Sequence, residues 1–152
     1  MNLKLLFAFI GLFFTGSSFA QVEVGSVFTY QDNISYTVTN LERQQVYGSD
    51  FSMTRTSIDG VATCIILNFD NESEDEITID FKRLRLKTDK GNVYNVVLSV
   101  QAYWGSKGDK FSYKLQSGDT RKYIIYFRPD VPEDETLVSL AFDDDIPEII
   151  EE

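Results

Sequence analysis

Histidine is absent from the 152-residue sequence, and cysteine occurs only once, as Cys64. The lack of histidine excludes Ser-His-Asp triads, Cys-His pairs and His-based zinc or copper sites, while a single cysteine excludes thiolate clusters and any intrachain disulfide. Cys64 lies within the apolar run VATCIILNF, where we expect a buried structural thiol, because a nucleophilic cysteine needs an accessible, electropositive setting. Composition therefore excludes most hydrolytic and redox chemistries, and it indicates no cofactor.

Basic residues are also scarce. The sequence has 14 lysines and arginines against 24 aspartates and glutamates, so the formal net charge is −10. A surface this acidic repels phosphate backbones and anionic lipid head groups. We therefore expect neither nucleic acid nor a membrane surface as a partner, and the sequence leaves the oligomeric state open.

Long apolar runs are lacking except near the N-terminus, where Lys4 precedes LLFAFIGLFF and the small residues SSFA follow at 17–20. This order of charged, apolar and small residues is typical of a secretory signal peptide, and the run is too short to span a bilayer comfortably. We expect cleavage of segment 1–20 after Ala20, with an uncleaved anchor as the alternative. The mature chain would then be secreted or periplasmic, and the loss of Lys4 makes it one charge more acidic.

The remaining chain has the length of one ordinary domain, about 130 residues. Its hydrophobic residues alternate with polar ones, which is the pattern of half-buried β-strands. The stretch VATCIILNFDN, 61–71, is apolar enough for a central strand covered on both faces. The other predicted strands are ISYTVTNL with Ile34, Tyr36 and Val38 on one face, VYNVVLSV after the turn TDKGN, TRKYIIYFRP with Tyr123, Ile125 and Phe127 on one face, and TLVSLAFDD with Val138, Leu140 and Phe142 on one face.

Two stretches depart from simple alternation. In EITIDFKRLRLKT, 76–88, the apolar positions shift by one residue, so we predict a bulge or bend near Lys82 and Arg83 that keeps both halves facing the core. Stretch 42–60 has the least clear hydrophobic pattern and is expected to hold a loop and a short edge strand. These patterns together predict an all-β fold, an antiparallel sandwich of about seven to nine strands over residues 21–145, with an acidic C-terminal tail at 146–152.

Several short motifs stand in an order that resembles a known family. VGSVFTY and ISYTVTNLE come first, followed by a strand ending in FDNES, then DKGNVY with Gly91 and Tyr94, and finally LQSGDTRKYIIYF and RPDVP. Over residues 22–142 the chain is similar to the secreted bacterial immunoglobulin-like domains of unknown function, typified by the mycobacterial immunoprotective extracellular antigen. Ser117 and Asp119 replace that family's usual proline and glutamate. The resemblance implies an immunoglobulin-like sandwich and a compartment, and no agreed catalytic residues.

The same motif residues suit structural roles. Gly91 and Gly118 supply positive φ angles at turns with little steric cost. Tyr94 is expected to pack its ring in the core while its hydroxyl finds a partner at the rim. We expect these residues to serve primarily the fold and not a binding or catalytic function.

The acidic stretch DNESEDE, 70–76, is one candidate functional site, with DDD at 143–145 as a possible neighbour. Oxygen-rich loops can hold calcium, and Asp70, Glu72 and Glu74 have alternating carboxylates, although the glycine of the EF-hand pattern is missing. A solvated acidic turn between two strands is the favoured interpretation, because runs of charge usually lie in water.

The stretch AYWGSKGDKFSY, 102–113, is the second candidate, because aromatic faces beside a flexible polar loop can stack on sugar rings or anchor a protein. The alternative is that these aromatics close one end of the sandwich and start the next strand, with Tyr113 in alternation with Phe111. The candidate binding residues are Tyr103, Trp104, Lys107, Lys110 and Phe111.

These observations favour a noncatalytic binding or adaptor module for a protein or a glycan. One alternative is an enzyme that cleaves glycans with two carboxylates, although in a chain this acidic some pair will always lie at a suitable separation. Another is a structural accessory protein of the envelope that holds its partner by an edge strand. Since fold does not determine function, only the geometry of sites can separate these hypotheses.

Overall fold

The computed structural model describes residues 21–46, 60–101 and 111–143, so the predicted signal segment and the predicted acidic tail lie outside the described residues. Within these ranges the chain forms nine strands and one short 3-10 turn. All strand pairs are antiparallel, so the predicted antiparallel β-sandwich of seven to nine strands is confirmed. The strands are β1 (Val27–Gln31), β2 (Ile34–Val46), β3 (Gly60–Asn71), β4 (Ile77–Asp80), β5 (Leu84–Thr88), β6 (Val93–Gln101), β7 (Ser112–Leu115), β8 (Thr120–Arg128) and β9 (Leu137–Phe142).

The large sheet has seven strands in the order β1-β2-β3-β8-β6-β5-β9, while β4 and β7 form a separate ribbon. Strand β6 joins the two halves of this sheet, because Asn95 pairs with Arg85 of β5 on one side and with Arg128 of β8 on the other. The hydroxyl of Tyr36 in β2 donates a hydrogen bond to the carbonyl of Leu140 in β9 at 2.8 Å. The sheet therefore folds over, so that β9 faces β2 and the core lies between two layers.

Aromatic rings fill the centre of this core. Phe69 of β3 stacks on Tyr36 with ring centroids 5.0 Å apart and meets the edges of Phe81 and Tyr123 at 5.9 and 5.7 Å. Offset and edge-to-face geometries of this kind add to the free energy gained by burying the rings. The predicted core faces of β2 and β8 are confirmed: Ile34, Tyr36, Val38, Tyr123, Ile125 and Phe127 are all buried.

The bend predicted near Lys82 and Arg83 is a 3-10 turn, Phe81–Arg83. The Asp80 carboxylate accepts a hydrogen bond from the backbone N–H of Lys82 at 3.0 Å, which caps the turn. Phe81, the first residue of the turn, and Leu84, the residue after it, are both fully buried, so the shift in alternation does keep both halves on one core. The turn also carries the chain from the small ribbon to the large sheet.

One detail of the strand predictions was wrong, and another is tested only in part. Residues 42–46 of the stretch 42–60 continue β2, since they pair with β3 from Cys64 back to Gly60, and the rest of that stretch, 47–59, lies outside the described residues. In β9 the residue buried beside Leu140 is Leu137, and Val138 is only half-buried. The cause is a register shift in the pairing with β5, where Lys87 faces Ser139 but the next residue faces Leu137. A bulge at this point breaks the period of two on which the prediction rested.

Cys64 is buried, as predicted, on the opposite face of β3 from the main core. It packs with Ala62 and Tyr126 in a second, smaller cluster. Burial raises the pKa of its thiol to about 11, with a further contribution from the negative charge of Glu42. The thiol is therefore protonated and inert at neutral pH.

Candidate functional site

The acidic turn after β3 is organised by the amide of Asn71, a residue that is 1% exposed. Its Nδ2 donates to the backbone carbonyls of Asp75, Leu115 and Gln116 at 2.9, 3.1 and 3.0 Å. Its Oδ1 accepts from the backbone N–H and the hydroxyl of Ser73 at 3.0 and 2.6 Å. One neutral side chain thus joins the turn to the β7–β8 connection, and the Glu76 carboxylate adds a hydrogen bond that it accepts from the amide of Gln116.

The carboxylates proposed for calcium point to separate surroundings. Asp70 accepts a hydrogen bond from the Thr120 hydroxyl, whereas Glu72 and Glu74 are exposed. Glu76 at the end of the turn accepts from the ammonium of Lys114 at 2.6 Å, and this bond holds the pKa of its carboxyl below its usual value. Within 21–46, 60–101 and 111–143, no three Asp, Glu, His or Cys side chains are placed together to hold a metal ion. The calcium hypothesis stays a prediction.

Most of the aromatic loop lies outside the described residues, including the candidates Tyr103, Trp104, Lys107 and Lys110. Phe111 is described, and its half-buried ring packs against the main core with the Lys82 ammonium 5.6 Å from its centroid. The neighbouring Tyr113 is 7% exposed and donates a hydrogen bond from its hydroxyl to the carbonyl of Ser99 at 2.8 Å.

Both of these rings therefore pack in the way the structural alternative predicted, with Phe111 at the rim of the core and Tyr113 within it. A binding role for the exposed part of Phe111 and for the four candidates outside the described residues stays a prediction.

A polar cleft of about 520 Å³ opens where β6 ends and β7 begins. It is lined by Thr78, Gln101, Ser112, Tyr113 and Lys114. Ser112 and Tyr113 belong to the stretch singled out in the sequence, whereas Thr78 and Gln101 carried no sequence signal, because only the pairing of β4 with β7 brings Thr78 opposite Lys114. Hydroxyl, amide and ammonium groups around one concavity can hydrogen-bond a polar ligand.

A second network secures the opposite end of the sandwich and involves the Gly91 and Tyr94 motif. Gly91 has φ +81°, as predicted for the turn, and the Tyr94 hydroxyl donates to Glu135 at 3.1 Å, which confirms a rim partner. Glu135 also accepts from the Thr88 hydroxyl at 2.6 Å and from the Asn92 amide at 2.7 Å. The Thr88 hydrogen bond is the main cause that lowers the pKa of the Glu135 carboxyl.

Comparison with known proteins shows the fold of the chain but assigns it no function. No protein-family model matches the chain, and no curated protein sequence matches it. An uncharacterized β-sandwich protein from Clostridium difficile is 16% identical, with a TM-score of 0.56 over 80% of this chain and 87% of that one. The secreted protein MPT63 from Mycobacterium tuberculosis is 15% identical, with a TM-score of 0.52 over 80% of this chain and 95% of that one. The family resemblance inferred from the motifs is thus confirmed at the level of fold.

None of the helices in the described part of the chain is long and apolar enough to cross a bilayer.

Proposed function

We propose that the protein is a noncatalytic, secreted or periplasmic binding module that recognises a glycan at the polar cleft between β6 and β7. The cleft itself is the observation that carries this proposal, because its volume of about 520 Å³ is in the range of small-molecule sites, ~300–1000 Å³. The signal-like N-terminal segment supports export, and one of the similar solved structures is described as a secreted protein.

The chemistry of the cleft favours a sugar over a charged or apolar ligand. Thr78 and Ser112 are exposed, so their hydroxyls are available as donors and as acceptors. Among the described residues that line the cleft, Lys114 is the charged one and is paired with Glu76, so these residues leave little net charge to attract an ion. Neutral hydrogen-bonding groups of both kinds match the hydroxyls of a glycan, which also donate and accept.

The protonation of the carboxyl groups supports a noncatalytic role. Cleavage of a glycosidic bond by two carboxylates requires one of them to act as a general acid with a raised pKa. Hydrogen bonds from neighbouring donors lower the pKa of the carboxyls of Glu76, Asp134 and Glu135. Groups held in the ionised form are poorly suited to donate a proton.

The test is a binding measurement on a panel of bacterial cell-wall and capsular oligosaccharides, with affinity measured by calorimetry. The variant Thr78→Ala/Ser112→Ala removes both hydroxyls from the cleft. The matched control, Thr29→Ala/Ser35→Ala, removes the same two groups from a facing pair on β1 and β2. We expect the cleft variant to weaken binding about 30-fold, since two lost hydrogen bonds are together worth about 2 kcal/mol, and the control to bind like the wild type.

Three results would contradict the proposal. Equal weakening in both variants would place the ligand elsewhere, and release of reducing sugars during the incubation would indicate an enzyme. A partner captured from envelope extracts that is resistant to glycosidase and sensitive to protease would indicate recognition of a protein. The variant Trp104→Ala, compared with the wild type at equal thermal stability, tests separately whether the 102–113 stretch contributes to recognition.

A further inference from the structure

The seven-stranded sheet ends in the two edge strands β1 and β9, and their free edges differ. The edge of β9 is covered by the chain itself. The carbonyl of Leu137 accepts a hydrogen bond from the backbone N–H of Val22 at 2.8 Å, and the carbonyl of Leu140 accepts one from the hydroxyl of Tyr36. Val22 is 2% exposed, so this cover belongs to the core. Two carbonyls of β9 are therefore already engaged within the chain.

The edge of β1 has no such cover. The backbone N–H of Val38 donates to the carbonyl of Ser26 at 2.9 Å, and hydrogen bonds between antiparallel strands recur at every second residue. Phe28 is therefore a residue of β1 that bonds to β2, whereas the backbone N–H and C=O groups of Val27 and Thr29 point away from β2. In the described part of the chain, no backbone hydrogen bond joins Val27 or Thr29 to an element other than β2.

β1 carries few of the features that usually protect an edge strand. Such strands are commonly shielded by lysines, prolines or bulges. The sequence of β1 is VFTYQ, without a charge or a proline, and its irregularity lies at its end, between Thr29 and Gln31. Val24 and Val27 are 59% and 65% exposed, the highest values among the large hydrophobic residues that the structure describes. This edge therefore offers unpaired backbone groups and exposed apolar surface to another strand.

The charges around β1 select the kind of strand that fits. Residues 21–42 include no lysine or arginine, whereas Glu23 and Asp32 flank β1. The backbone N–H of Glu72 donates to the carbonyl of Asn33 at 2.9 Å, which places another acidic residue beside the β1–β2 turn. A second copy of the chain, with its net charge of −10, would bring the same carboxylates to this edge and would be repelled. A strand flanked by basic residues would be attracted.

We propose that the free edge of β1 binds an extended, apolar segment of a partner protein that has a lysine or arginine at each end. The segment would extend the sheet, with its backbone hydrogen-bonded to Val27 and Thr29, its apolar side chains on Val24 and Val27, and its basic side chains near Glu23 and Asp32. In recognition by strand addition, backbone hydrogen bonds give affinity and side chains give selectivity. The surface is independent of the proposed glycan site, because β1 supplies none of the residues that line that cleft.

The test uses the whole protein and an acetylated, amidated peptide of alternating valines and threonines with a lysine at each end. One control peptide has glutamates at its ends, and the other has N-methyl groups on its backbone amides, which removes the donors and keeps the side chains. Amide shifts in two-dimensional NMR locate the binding, and hydrogen exchange reports the protection of each backbone N–H. We expect shifts and slower exchange at Val27 and Thr29, millimolar or tighter binding, and weaker binding of both controls.

Two substitutions at one position separate backbone pairing from side-chain contact. Thr29→Pro removes an outward N–H without removing a hydrogen bond to β2, and proline is tolerated where the N–H of an edge strand faces solvent. Thr29→Ala keeps that N–H and removes only the side chain. We expect Thr29→Pro to weaken peptide binding at least about fivefold, as for the loss of one backbone hydrogen bond, and Thr29→Ala to bind like the wild type.

A third variant tests the charge of the edge and leaves the backbone unaltered, so it also serves if Thr29→Pro does not fold. Val27→Lys adds a positive charge at an exposed side chain. It should weaken binding of the lysine-ended peptide about two- to fivefold at low salt, and this effect should shrink as salt is raised.

Several outcomes would overturn the inference. They are equal binding of the N-methylated peptide, binding of the glutamate-ended peptide at least as tight as that of the lysine-ended one, equal binding by folded Thr29→Pro and Thr29→Ala, and no shifts at β1 at about 5 mM peptide. A dimer that Thr29→Pro abolishes would also overturn it, because the edge would then bind a second copy of the chain. The glycan-cleft variant Thr78→Ala/Ser112→Ala should bind the peptide like the wild type, so failure of either proposal is distinguishable from failure of the other.

Discussion

Replacement of Asn71 by aspartate is the most direct test of how the acidic turn is held. The change keeps the shape of the side chain and replaces its NH2 group by a second carboxylate oxygen. In the wild type that NH2 group donates to three backbone carbonyls, of Asp75, Leu115 and Gln116. In Asn71→Asp these carbonyls would lose their donor and would face a negative charge in a site that is 1% exposed in the native protein.

The expected cost follows from those contacts. Losing the two N–H groups removes hydrogen bonding worth about 1 kcal/mol for each group, and leaving the buried carbonyls without a donor adds roughly 1–3 kcal/mol. We therefore expect Asn71→Asp to lower the free energy of unfolding by about 3–5 kcal/mol, a large part of the total for a domain of this size, about 5–15 kcal/mol. Burial beside carbonyl oxygens should also raise the pKa of the new carboxyl in the folded state above its unfolded value of about 3.9.

The raised pKa predicts a pH dependence with a definite sign. The folded state then favours the protonated carboxyl, which can donate one hydrogen bond. The loss in free energy of unfolding relative to wild type is therefore largest above the pKa of the folded state, and it shrinks as pH falls toward the pKa of the unfolded state. Urea unfolding at pH 7 and at pH 4.5 measures it, and with a slope of ~1–3 kcal/mol per molar the midpoint at pH 7 should fall by about 2 M.

The control for this experiment is Asn95→Asp, which adds the same charge at an exposed position in β6. It should change the free energy of unfolding by less than about 0.5 kcal/mol. The explanation is refuted if Asn71→Asp is no less stable than Asn95→Asp at pH 7. It is also refuted if added calcium restores the stability of Asn71→Asp, since the turn would then be organised by its carboxylates.

Three further predictions concern the core and the opposite rim. Tyr123→Phe should leave the free energy of unfolding unchanged or raise it by up to about 1 kcal/mol, because the buried Tyr123 hydroxyl has no hydrogen-bond partner among the described residues. A clearly lower free energy of unfolding for the variant in urea would show that this hydroxyl has a partner. Cys64, with its pKa raised to about 11, should resist a maleimide at pH 8 in the folded protein and react once urea unfolds it, as followed by mass spectrometry. The pKa of the Glu135 carboxyl is lowered in the folded state, so its stabilising contribution is present at neutral pH and is lost as pH falls through that lowered value. Glu135→Gln should therefore lose less free energy of unfolding between pH 7 and pH 3 than the wild type. Equal losses would contradict this role.

The strands and their core faces were predictable because they depend on a local period of two. Ile34, Tyr36 and Val38 were placed correctly from their spacing alone, and the burial of Cys64 was predicted correctly from the apolar run around it. The bulge opposite Thr88 was not predictable in this way, because it arises from the pairing of β9 with β5 and not from the sequence of β9 itself. The same holds for the division of residues 76–88 between two sheets.

The candidate cleft was harder to predict, because it combines residues that are distant in the sequence. Thr78 and Gln101 meet there only because β4 pairs with β7 beside the end of β6. Neither residue belongs to a motif, and an exposed threonine or glutamine in a strand gives no local signal of a site.

The residues that made the chain resemble a family turn out to secure the two ends of the sandwich. Asn71 ties one turn to the β7–β8 connection, and Tyr94 with Glu135 ties the other to the 131–137 connection. Such contacts fix a fold and place no constraint on outward-facing side chains, so a shared sandwich does not determine which residues line a cleft. Recognition in this protein should therefore change with substitutions such as Thr78→Ala, which removes a hydroxyl from the cleft and no contact of the turns, and stability should change with substitutions at Asn71.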